Sequence, residues 1–213
     1  MTGVSEALRL AGRDLYRNSW RLVPLNAAVG ALLVVAVAAT ATTRAALLLV
    51  ALTGPLVAAL AHCAVTLAQT GNLAFTDVRD GLQLHWRRGL VLGATGSAIV
   101  LLAVAALRVY SRSHLLWPLA FLTVYLVLLL AVVQLVLWTL AIAEPGRPLR
   151  ECAAAAARLV ADKPGPSLLL GLALLAVNVA GIAAAVMPFL TVTIAYSLVA
   201  AAYFVLPRPE AGA

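Results

Sequence analysis

Charge is what this chain has least of. Only 11% of its 213 residues are charged against 64% hydrophobic, and the mean hydropathy is +1.03. A soluble domain of this size could not hide so much apolar surface, since globular chains are nearer half apolar and a quarter charged. The bilayer is therefore the expected solvent. Cysteine is scarce too: Cys63 falls in an apolar run and Cys152 in a charged connector, which excludes a disulfide framework or a zinc spacing. No acidic residue sits at membrane depth, and no paired carboxylates, Ser/His/Asp set or phosphate-cradling loop is present. An intramembrane enzyme needs such groups at depth, so a non-enzymatic chain without cofactor or metal is expected. A cleavable leader is also not expected, because the amphipathic stretch VSEALRLAGRDLYRNSWR precedes the first full-length apolar run.

The charge that is present has one dominant sign, with a net value of +7 and a pI near 10.3. In a soluble protein this would point to nucleic acid. Here the basic residues stand at the ends of apolar runs, which points to membrane topology and lipid headgroups, with no nucleic-acid partner. Fourteen of the fifteen are Arg, and Ala, Leu and Val dominate, as in a GC-rich bacterial coding sequence. The expected location is the cytoplasmic (inner) membrane of a bacterium.

A helix rising 1.5 Å per residue needs about twenty residues to cross a core of about 30 Å. Such runs occupy residues 22–41, 45–67, 89–107, 116–141, 167–187 and 189–206. The last two nearly merge, and Pro188 is the natural break, since it lacks an amide hydrogen and disfavours helix before it. Six spans are predicted, with five as the alternative. With both termini cytoplasmic, the inside segments carry twelve basic residues, and the outside only Arg44, Arg108 and Arg112. That bias satisfies the positive-inside rule.

The polar connector FTDVRDGLQLHWRR (residues 75–88) has Phe75, Val78, Leu82 and Trp86 at helical spacing. Leu149, Cys152, Ala156 and Leu159 repeat that spacing after Pro148, as do Val4, Leu8, Ala11 and Leu15 in the N-terminal stretch, which Ser5 is placed to cap. The expected fold is thus an all-α polytopic membrane protein in a single transmembrane domain, residues 1–213. Its six transmembrane helices form three hairpins, each preceded by an amphipathic interfacial helix on the cytoplasmic side. The pattern repeats over about 1–70, 71–145 and 146–213. Arg9, Arg13, Arg17, Arg21, Arg87 and Arg88 are expected at lipid headgroups; solvated connectors are the alternative.

Within the spans, Gly54 and Pro55 predict a helix kink and a close backbone approach. His62, Asn26, Gln134 and Asn178 are the candidate intramembrane polar site, either bonding helices together or lining a polar path. Gly93 and Ser97 form a small-residue pair suited to close helix contact. The sequence allows a homo-oligomer and offers nothing in favour of one.

Four segments carry a family resemblance. TGPLVAALAHCAVTLAQTG (residues 53–71) resembles the second span of the YesL-like family of bacterial membrane proteins, and the connector in residues 75–93 follows it as in that family. Residues 137–175 are similar to the family's next connector and fifth span, and WRLVPLNAAVG (residues 20–30) to its first, with Asn26 at a place where the family often has Asn. The resemblance implies an integral membrane protein without assigned enzymatic activity, linked to carbohydrate uptake, and brings no catalytic residues with it. The expected function is an accessory or assembly component of a transport system, packing against a transporter permease or ATPase complex. An autonomous small-molecule transporter is the alternative.

Overall fold

The computed structural model describes residues 3–40, 47–184 and 188–206, and every regular element among them is helical. The order is α1 (Val4–Arg17), α2 (Ser19–Thr40), α3 (Leu47–Leu52), α4 (Gly54–Thr70), α5 (Thr76–Tyr110), a 3₁₀ turn (His114–Leu116), α6 (Trp117–Ala143), α7 (Leu149–Asp162), α8 (Pro164–Ala183), a π turn (Phe189–Thr193) and α9 (Ile194–Val205). Arg44 and residues 185–187 of the fifth expected span lie outside the described residues.

Five helices among the described residues are long and apolar enough to cross a membrane: Ser19–Ala36, Val50–Thr70, Thr76–Tyr110, His114–Ala143 and Pro164–Ala183. A sixth apolar stretch, Thr191–Val205, is shorter. It is nonetheless the centre of the molecule, since every residue from Ser197 to Val205 is buried. α9 and α4 form the core, packed against each other, with α6 touching both and α1 lying on α9. Small residues make this possible. Ala200, Ala201 and Ala202 on α9, like Ala58, Ala59 and Ala64 on α4, are almost wholly buried and let the backbones approach. α5 and α6 instead present long exposed apolar faces, including Val100, Leu102, Phe121 and Leu122. Lipid is the natural partner for such faces.

The connector of residues 75–88 does not form a separate rod. It is the first third of α5, a continuous helix of 35 residues, about 52 Å long. Nothing between Arg88 and Gly89 breaks it: there is no Pro, and one buried stripe of Gly81, His85, Gly89 and Leu92 runs through the expected boundary against α4. Gly81, His85 and Gly89 form the side packed on α4, while Phe75, Leu82 and Trp86, on the expected lipid-facing side, are exposed. Trp86 and Tyr110 stand about 36 Å apart along this helix, which brackets a hydrocarbon core of about 30 Å. Residues 89–107 are long enough to cross such a core, with the preceding turns extending beyond that length.

α1 and α7 do form as separate helices. Ala7, Leu10, Ala11 and Leu15 are buried on α1, and Cys152, Ala156 and Val160 on α7, which packs on α6. Ser5 does not cap α1; the N-cap is Gly3. Pro148 precedes the first turn of α7 as its N-cap residue and does not lie within it. The second apolar run is interrupted at Thr53, directly before Gly54 and Pro55, which open α4. Pro55 cannot donate to the carbonyl a turn earlier, so α3 stops there. Thr53 Oγ1 donates to the Val50 carbonyl at 2.7 Å, which also accepts the Thr53 amide at 3.2 Å. The three pattern units do not pack as separate hairpins, since α4 packs most extensively on α5 and α2 packs on the π turn before α9.

Candidate functional site

Three clusters of polar side chains lie inside the bundle, and they distribute the candidate residues unequally. The first joins the N- and C-terminal helices. Asp14 on α1 is only 4% exposed, accepts from the Tyr203 hydroxyl of α9, and takes a second bond from Arg13 Nε at 3.0 Å. This partnership raises the Arg13 pKa above its ordinary value, chiefly through the hydrogen bond to Asp14. Tyr196 of α9 also donates to the Leu8 carbonyl at 3.1 Å. Asn26 on α2 is wholly buried, and its Oδ1 accepts the Ala195 amide at 2.6 Å. The π turn before α9 shifts the backbone bonding, and Asn26 takes up an amide at the start of the new helix. Asn26 therefore bonds helices together.

The second cluster is a pair of imidazoles. His62 on α4 faces His85 on α5, with ring centroids 5.2 Å apart. His85 is 2% exposed, and its Nδ1 has no hydrogen-bond partner among the described residues. Gly81 makes room for the contact, because a Cβ there would lie 2.8 Å from that of His62. Sequence reasoning placed His85 on a solvated or lipid-facing connector. Its spacing of four from both Gly81 and Gly89 was the overlooked signal.

The third cluster lies between α5, α6, α8 and α9. Gln134 Nε2 donates to the Leu92 carbonyl at 3.0 Å. Asn178 Nδ2 bonds both the Leu174 carbonyl and Ser197 Oγ at 2.8 Å, and Ser197 in turn donates to the Thr193 carbonyl at 2.8 Å. Gln134, Asn178 and Ser197 line one cavity of about 370 Å³. Two of the four candidate polar residues thus share a cavity, whereas Asn26 and His62 do not line it.

Between α4, α5 and α6 runs a larger groove of about 920 Å³, lined by Gly54, Gly93, Gly96, Val104, Gln134 and Trp138 among others. Its inner edge is a three-glycine contact. A Cβ on Gly54 would lie 2.2 Å from the Gly89 carbonyl oxygen and 3.3 Å from the Gly93 Cα. Of the small-residue pair Gly93 and Ser97, Gly93 meets Gly54 closely, and Ser97 Oγ donates to the Gly93 carbonyl within α5.

The basic residues divide as well. Arg9, Arg13 and Arg17 are exposed on α1, the Arg21 guanidinium lies 4.4 Å from the Trp20 ring centroid, and that of Arg87 lies 5.1 Å from Trp86. Arg88 turns inward. It donates to the carbonyls of Ala141 (2.7 Å), Glu144 (3.2 Å), Pro145 and Arg147 (2.8 Å), and so caps the end of α6. The last carbonyls of a helix lack partners and carry partial negative charge, which a guanidinium satisfies well. Arg147 is held by Glu144 and its pKa is raised, chiefly by that hydrogen bond. Cys152 is fully buried, and burial pushes its thiol upward, away from the reactive thiolate. Cys63 and Cys152 are both free thiols. Comparisons with protein-family models, with curated proteins and with solved structures give no match to this chain.

Proposed function

We propose that this chain is a non-enzymatic membrane protein that crosses six times with both termini cytoplasmic, and that it serves as an accessory or assembly component of a transport system. The observation that carries the reading is where the polar groups spend their bonds. Asn26 and Gln134 bond main-chain groups of other helices and Asn178 bonds Ser197 Oγ of α9, which is what helix-fastening residues do, while the long apolar faces of α5 and α6 are open to lipid or to a partner. The likeness to YesL-like proteins makes carbohydrate uptake the class of system, and a permease or ATPase complex the partner. Purification in mild detergent tests this: a permease or ATPase of an uptake system should come down with the chain. A protein that purifies alone and moves a solute across liposomes would overturn it.

The cavity shared by Gln134, Asn178 and Ser197 favours a second reading, an autonomous small-molecule transporter with its polar groups near the midplane. That reading requires flux that falls when Gln134→Leu and Asn178→Leu remove those groups.

A further inference from the structure

The groove between α4, α5 and α6 ends on two cations. Arg108, in the last turn of α5, and Arg112, in the turn after it, line it, are exposed, and make no side-chain hydrogen bond or ion pair among the described residues. Every acidic residue of the described chain lies in α1, the first two turns of α5, the α6–α7 turn or α7. Those segments sit at the opposite end of the bundle, where Arg88 near the start of α5 caps the end of α6. The two guanidiniums therefore form an uncompensated positive rim.

The interior of the groove is of a different kind. Val100, Leu101, Val104 and Ala105 supply apolar walls, and Gly96 has only the Gln134 amide within reach of a Cβ, at 3.6 Å. Three of its uncharged polar side chains already donate elsewhere: Thr53 to Val50, Ser97 to Gly93 and Gln134 to Leu92. A sugar would find few free donors there, whereas an aliphatic chain needs none. From Leu92 to Arg108 the groove follows α5 for about 24 Å, more than the roughly 15 Å depth of one leaflet. Its 920 Å³ is at the upper end of the range, about 300–1,000 Å³, that holds drug-sized ligands.

We propose that this groove binds an anionic membrane phospholipid, with its phosphate between Arg108 and Arg112 and an acyl chain lying along α5. Charge complementarity selects the headgroup, since guanidiniums grip phosphate oxygens with two parallel bonds. The apolar walls of Val100, Leu101, Val104 and Ala105 select the tail. The cationic rim lies at the end of the bundle away from the acidic segments.

The test is native mass spectrometry of the full chain in micelles containing equal phosphatidylglycerol and phosphatidylcholine. Wild type should retain one phosphatidylglycerol with about tenfold preference, as two cations near an anionic headgroup provide. Arg108→Gln/Arg112→Gln should abolish the preference, and Arg79→Gln/Arg87→Gln should leave it intact. Ala105→Phe replaces an exposed residue and fills the groove one turn below Arg108, so it should cut retention although both cations remain. Equal retention of phosphatidylcholine, or an undiminished preference without the two arginines, would overturn the proposal. So would full displacement by millimolar glycerol phosphate or undisturbed binding to Ala105→Phe, since either assigns the rim to a soluble anion.

Discussion

Gly54 and Gly12 are both helical glycines, yet their surroundings demand opposite outcomes on substitution. A methyl group at Gly54 meets the Gly89 backbone at 2.2 Å, where nothing flexible can move aside, whereas at Gly12 the nearest atom is a Tyr196 ring carbon at 3.9 Å. Gly54→Ala should therefore destabilise by about 1–3 kcal/mol through overpacking. Gly12→Ala should be neutral or stabilising by up to about 1 kcal/mol, since Gly is a poor helix former. Thermal unfolding in detergent separates the two. Asp14 and Tyr203 should behave as one unit: Asp14→Ala and Tyr203→Phe each remove the bond between them, for which about 1.5–3 kcal/mol is typical with a carboxylate acceptor. The double variant should cost clearly less than the two singles combined, and strict additivity would disprove the pairing. Little of this was legible beforehand. Arg13 beside Asp14 reads as an ordinary exposed pair in an amphipathic helix, and only the arrival of α9 across 189 positions of sequence buries the carboxylate.

At the scale of elements, α5 is where pattern and structure part. Spacing foretold a helix over residues 75–88 and another over 89–107, and both are there, but as one rod. The amphipathic period carries no information on whether a helix continues into lipid or turns flat before it. Continuity was decided by packing, through the stripe of Gly81, His85 and Gly89 against α4, and by Arg88, which anchors the helix to the end of α6. A proline distinguishes the two arrangements. In the continuous helix Leu90→Pro removes an internal hydrogen bond and clashes a turn earlier, at a cost of about 3 kcal/mol or more. Were a new helix to start at Gly89, the same proline would occupy its tolerated first turn. Loss of helicity or of folded protein in Leu90→Pro supports the single rod, and near-normal stability would refute it. The break before Gly54 and Pro55, by contrast, was legible, because proline acts through its own missing amide whatever surrounds it.

For the whole molecule, composition alone foretold an all-helical chain with several apolar helices of membrane-crossing length, and five such helices are present among the described residues. What composition could not supply is which helices form the core. α4 and α9 are no greasier than α6, yet they are buried because their alanine-rich faces permit close approach, while the leucine-rich α6 is left largely to lipid. The candidate polar residues followed the same logic: each was legible as costly in lipid, but its partner was set by packing. The side of the membrane on which each connector lies is tested most directly by cysteine accessibility, in a chain whose two native cysteines are replaced by alanine. Arg79→Cys and Gly146→Cys should react with an impermeant maleimide only from the cytoplasmic side, and Ser113→Cys only from the opposite side. Labelling of Arg79→Cys and Ser113→Cys from the same side would mean that α5 does not cross the bilayer, and would contradict the account.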